Sequence, residues 1–263
     1  MESINKLIRH WFEEYTQDYA EGSDRKNIIL KIEHSRRVAA DIVEIGKALQ
    51  LSDEDLKLAE IAGILHDTGR FEQYRRYGTF SDVHSVDHAK SGVSILKQEK
   101  VLEELPEDQQ ELILKAIQFH NYLNLPENES ERVLFFSRLL RDADKLDIFK
   151  MLTEYFAVRD QERNETLELD LPEKGEISEY VYEAVLNKKQ VDYRKIKNLN
   201  DFKLLQAGWV YGLNFVPSLR LFKERGFLAR IKSALPDDKR LGKIYDMIDS
   251  YLDQKLADGT GSS

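Results

Sequence analysis

Apolar residues recur along this chain at spacings of three and four, in one segment after another, and nowhere alternate over the length of a strand. That period lays an apolar stripe down one face of a helix, so an all-α fold is expected. With 5 prolines and 13 glycines among 263 residues, few breakers interrupt these runs, which favours long helices. Between Ile28 and Leu49 the stripe is Val38, Ile42, Ile45 and Leu49, and one step of four back from Val38 is His34. Ser52, with Asp55 three residues on, has the form of an N-cap. The run that follows, through Leu56, Ala59, Ile61, Ala62, Ile64 and Leu65, is apolar nearly all round and marks a central buried helix ending in His66 and Asp67.

Residues 68–85, with Gly69, Gly78, Thr79, Ser81 and Asp82 among charged and aromatic side chains, read as a long loop. A helix resumes at Ser85 and carries Ala89, Val93 and Leu96 beside a row of His88, Gly92 and Ile95; Gly92 would let another helix approach closely. After Pro106, the inward face Leu112, Ile113, Ala116 and Ile117 leads by a step of four to His120. From Glu131 the stripe Val133, Phe136 and Leu140 leads in the same way to Asp144, and a further helix is expected through Met151 and Phe156. Residues 161–175 are polar and acidic and are expected to form an exposed excursion, after which helical patterns continue to Leu256. The small, polar tail from Asp258 to Ser263 is expected to fray.

Several classes of function fall away on composition. Zero cysteines exclude disulfides, zinc fingers, iron–sulfur clusters and thiol nucleophiles, so any metal must be held by His, Asp or Glu. The net charge of -9 opposes attraction to nucleic-acid duplexes and anionic membranes. No apolar run is long enough to cross a bilayer, and charges throughout the first twenty residues argue against a secretory signal, so a cytoplasmic protein is expected. What remains to be explained is the polar content of the stripes. Three helices bring a histidine, one brings a His-Asp pair and one an aspartate to core-facing positions, and such groups buried without partners would each cost about 1 to 3 kcal/mol or more. A bound metal removes that cost.

In these residues the sequence resembles the HD superfamily of metal-dependent phosphohydrolases, whose pattern is a histidine, a His-Asp pair and a distant aspartate, here His34, His66-Asp67 and Asp144. His88 and His120 fall where the two-metal branch inserts two further histidines. The segments around them, such as Leu65-His66-Asp67-Thr68-Gly69-Arg70 and Asp142-Ala143-Asp144-Lys145-Leu146-Asp147, also look like family segments, and the resemblance covers about residues 28–150. It implies an HD-domain helical bundle within a single domain over 1–263, with a C-terminal helical extension over about 151–256.

The resemblance further implies that His34, His66, Asp67 and Asp144 hold one metal, and that His88 and His120 hold a second, with Asp67 bridging. The mixed nitrogen and carboxylate set suits two divalent transition-metal ions, manganese, iron, cobalt, nickel or zinc, better than magnesium or calcium. The expected function is hydrolysis of a phosphate ester of a nucleotide or other small phosphorylated metabolite by a metal-activated water. Arg70 and Lys145, beside Asp67 and Asp144, are candidates to hold the substrate phosphate, the alternative being ion pairs with neighbouring acids. Asp142 and Asp147 are expected to orient neighbours, and Arg75 and Arg76 either grip a distal phosphate or are solvated. A rival activity keeps the same six ligands: a di-iron oxygenase of the HD fold oxidising a polyol or phosphonate. A regulatory module that binds metal without turnover is the third reading.

Overall fold

The computed structural model describes residues 2–21, 25–169 and 171–260. Among the described residues there are thirteen α-helices and three 3₁₀ turns, and no strand. The chain divides into two compact units, Met1–Asp147 and Ile148–Ser263.

In the first unit, α1 (Glu2–Gln17) buries Ile8 and Phe12 and packs on α3 (Asp53–Leu65). Ser52 caps α3 as expected, its Oγ accepting from the Asp55 amide at 3.1 Å. The apolar-all-round sequence of α3 puts it at the centre, against α2 (Arg25–Ala48) on one side and α6 (Glu107–Phe119) on another. The α2 stripe is buried at Val38, Ile42 and Ile45, and His34 lies fully buried at its head.

Residues 68–85 are not a long loop. They form α4 (Thr68–Tyr77), a connection and a 3₁₀ turn at Asp82–His84. Phe71 and Tyr74, three apart, are the buried apolar side chains of α4, while Arg75 and Arg76 are exposed and both pair with Glu72. Gly78, at φ +65, ends the helix in the left-handed conformation. Gly69 is a glycine for a different reason: α4 packs on α5 (His88–Gln98), and a Cβ at Gly69 would lie 2.1 Å from the His88 carbonyl oxygen. Gly92 is the other side of that approach, so the close contact expected at Gly92 is with α4. The helix expected from Ser85 begins at His88, because Asp87 is its N-cap and accepts from the Lys90 amide.

The two helices expected around Asp144 and Met151 are one, α7 (Glu131–Val158), whose residues up to Asp147 belong to the first unit. The second unit adds α8 (Glu165–Glu168), α9 (Glu179–Leu186), α10 (Leu199–Gly208), α11 (Val216–Glu224), α12 (Phe227–Ala234) and α13 (Leu241–Thr260). Phe149 centres its core, with ring contacts to Trp209, Phe222 and Phe227, and Tyr211 packs on Tyr251. Residues 161–175 are not simply an exposed excursion: the carboxylate of Glu168, fully buried, accepts from Tyr155, Arg159 and Arg163. Burial of Glu168 depends on those three partners. Asp258 continues α13, and residues 261–263 of the tail expected to fray lie outside the described residues.

Candidate metal centre

Six side chains from the elements of the first unit meet in its interior. α2 supplies His34, the C-terminus of α3 supplies His66, and Asp67 stands between α3 and α4. α5 supplies His88 from its first turn, α6 ends on His120, and α7 supplies Asp144. Five of the six are almost fully buried, and Asp144 is the most open, its side chain 17% exposed.

The donor atoms fall into two neighbouring groups around the Asp67 carboxylate, with His66 close to both. In the first, His34 Nε2 lies 3.2 Å from His66 Nε2 and 3.2 Å from Asp144 Oδ1, with Asp67 Oδ2 at 3.5 Å from His34 and 3.6 Å from His66. In the second, His88 Nε2 and His120 Nε2 are 3.0 Å apart, and Asp67 turns its other oxygen, Oδ1, to them at 3.4 and 3.9 Å. An ion bound at about 2.1 Å would set neighbouring donor atoms about 3.0 Å apart in an octahedron and about 3.4 Å in a tetrahedron. The spacing of both sets is close to this.

The ring orientations carry the same message. Each histidine donates from Nδ1: His34 to Asp147 (2.7 Å), His66 to the Gly63 carbonyl (2.8 Å), His88 to Asp82 (2.7 Å) and His120 to the Ile117 carbonyl (2.6 Å). The Nε2 atoms are thereby left to point inward as acceptors. Burial, then Arg70, pushes His88 down; burial, then His88 and His66, pushes His120 down to about 3. Two bare lone pairs 3.0 Å apart repel unless a cation lies between them. At the first set, burial and then Lys31 oppose charge on His34, while hydrogen bonds to Asp144 and Asp147 and the charge of Asp147 raise it. Burial pushes the Asp67 carboxyl up, but Lys31, His66, Arg70 and His88 together hold it well below the usual carboxylate range. These side chains fit metal binding, and His34, His66 and Asp144, like His66, Asp67 and His120, are grouped closely enough to hold an ion.

Residues 32–148 match the HD domain family. No curated protein and no solved structure matches the chain. The HD domain is typical of metal-dependent phosphohydrolases, and all six side chains lie inside the matched stretch. Among the described residues no helix is long and apolar enough to cross a membrane.

Around the six lies a ring of charged partners. Asp147 accepts from both His34 and Arg37, which is the orienting part expected of it. Arg70 sits beside Asp67, its Nε 3.5 Å from Oδ1, but its Nη1 donates to Asp82, Gln73 and the Phe80 carbonyl. That is the ion-paired arrangement. Lys145 adjoins Asp144 on α7, and burial, with Arg141 nearby, pushes its amine down to about 8. His84 is exposed.

Two members were not anticipated. Lys31 places its ammonium 2.8 Å from Asp67 Oδ2; its signal was its position one turn before His34 on the same face. Asp82 accepts from His88, Arg70, Gln73 and Asn121, and no periodicity marks it because it opens a three-residue 3₁₀ turn. Partners of metal-ligating histidines are worth about 10- to 100-fold in metal affinity. Asp82→Asn is therefore expected to weaken the second set by that factor and leave the first nearly unchanged. Competition titration with a chromophoric chelator would resolve the two steps, and equal weakening of both would contradict the division.

Proposed function

We propose that the chain hydrolyses a phosphate ester of a nucleotide or another small phosphorylated metabolite, with the six side chains holding two divalent transition-metal ions. The observation that carries this reading is the Asp67 carboxylate, which turns Oδ2 to His34 and His66 and Oδ1 to His88 and His120. When bound, two such ions lower the pKa of water and neutralise charge on phosphoryl oxygens.

The remaining work belongs to the chain's own residues. Nδ1 hydrogen bonds to Asp147, Gly63, Asp82 and Ile117 fix the four imidazoles, so no reorganisation is needed as charge develops. Burial of these side chains strengthens each charge among them. Asp144, the most open of the six, marks the side on which substrate enters. Lys145 adjoins it there, and its ammonium is suited to a substrate phosphate as a point charge. Arg70, tied to Asp82, holds the connection under His88 and contributes its charge to Asp67.

The test is an anaerobic assay of manganese-loaded protein against a panel of phosphorylated metabolites. Release of phosphate, or of a phosphorylated product from a diester, is expected without oxygen. Turnover confined to the iron form, with oxygen consumed and an oxidised carbon product, would replace this reading with the di-iron oxygenase.

A further inference from the structure

Lys31 lies one residue before the stretch that matches the HD domain, and its chemistry is unusual for its place. Its side chain is 11% exposed, its ammonium is 2.8 Å from Asp67 Oδ2, and on another side it faces the Phe80 ring, 5.5 Å from the centroid, which supplies no full counter-charge. Arg70 stands over the other oxygen of the same carboxylate, and its buried Nε has no hydrogen-bond partner. Asp67 thus carries one side-chain cation on each oxygen, on the same two sides that face the two donor sets.

A single carboxylate cannot serve all of these charges at once. If its negative charge is taken up by divalent ions, as the proposed function requires, the Lys31 ammonium is left in a nearly dry site without a counter-charge, which is strongly unfavourable. The deficit is made good by an anion arriving in the pocket. A phosphoryl group offers several non-bridging oxygens, and a lysine ammonium, with three rotatable donors, can turn from one acceptor to another without rebuilding its surroundings.

Resting on the phosphohydrolase reading, we propose that Lys31 is a phosphoryl-binding residue: its ammonium leaves Asp67 Oδ2 for a non-bridging oxygen of the substrate when the site holds metal. Lys31 also makes the loaded site selective for anions, because without one its charge stays uncompensated.

The test is calorimetric titration of inorganic phosphate into manganese-loaded wild type, Lys31→Met and Lys31→Arg, with metal per chain measured on the same samples. Wild type is expected to bind phosphate. Lys31→Met should keep its metal and lose on the order of tenfold or more in phosphate affinity, the loss of one hydrogen bond to a charged group. Lys31→Arg should recover part of that loss. Lys31→Met that binds phosphate as wild type does would overturn the proposal, and so would loss of metal from Lys31→Met, which would make Lys31 part of the ligand scaffold. No recovery in Lys31→Arg would also overturn it, since charge at this position is the claim. A metal-replete wild type that binds no phosphate would instead bring down the phosphohydrolase reading itself.

Discussion

Asp67→Asn is expected to lose metal and to lower phosphoesterase turnover on the order of 10³-fold or more, the equivalent of the several kcal/mol of charge stabilisation that bound metal provides. The substitution keeps the shape of the side chain and removes its charge. It also puts an N–H among acceptors, because one oxygen faces His34 and His66 and the other faces His88 and His120. Neither set can be spared, so rescue by more metal should be partial at best. A second consequence separates the site from the fold. Lys31 would lose its counter-charge, and breaking a buried pair from one side costs about 3 to 5 kcal/mol. Adding Lys31→Met should restore much of that stability, read as the thermal midpoint, and none of the turnover. Near-normal turnover in Asp67→Asn would show that the six residues are not the reacting site.

Gly69→Ala is expected to be among the most damaging single-methyl changes in the first unit. The added Cβ would lie 2.1 Å from the His88 carbonyl oxygen and 2.6 Å from the Gly92 amide nitrogen. Both are backbone atoms, so no side chain can swing aside and α4 must part from α5. Overpacking of this kind costs about 1 to 3 kcal/mol or more, roughly 5 to 10 °C in thermal midpoint at the upper end for a chain this size. Because the struck carbonyl is that of His88, metal at the second set should weaken as well. An unchanged midpoint with both metals retained would mean that the α4–α5 approach is looser than described.

Most of the six candidate positions were legible because they end or continue an apolar stripe: His34 four before Val38, His120 four after Ala116, Asp144 four after Leu140; His88, in a row beside its stripe, was singled out by the family resemblance. A polar residue on a buried stripe needs a partner, so the pattern itself raises the question that a metal answers. α4 escaped for the opposite reason. Its buried apolar side chains are only Phe71 and Tyr74, set among Arg70, Glu72, Gln73, Arg75 and Arg76, and Gly69 reads as a breaker when its role is to admit the His88 carbonyl. Glu168 shows another limit. In an acidic stretch nothing local distinguishes a solvated carboxylate from one buried against Tyr155, Arg159 and Arg163. Lys31 had helical spacing to recommend it, but a lysine one turn from a histidine is ordinarily a solvated residue. Asp82 had no regular period at all, since it reaches His88 from a three-residue 3₁₀ turn.

The central claim is that one carboxylate serves two ions, and the most direct measurement is metal per chain by plasma mass spectrometry. The protein would be purified without chelator, reconstituted with manganese and freed of loosely held ions. Wild type should approach two ions per chain, and His120→Ala, which removes a donor from the second set alone, should fall towards one. A replete wild type holding a single ion, unchanged by His120→Ala, would contradict the account.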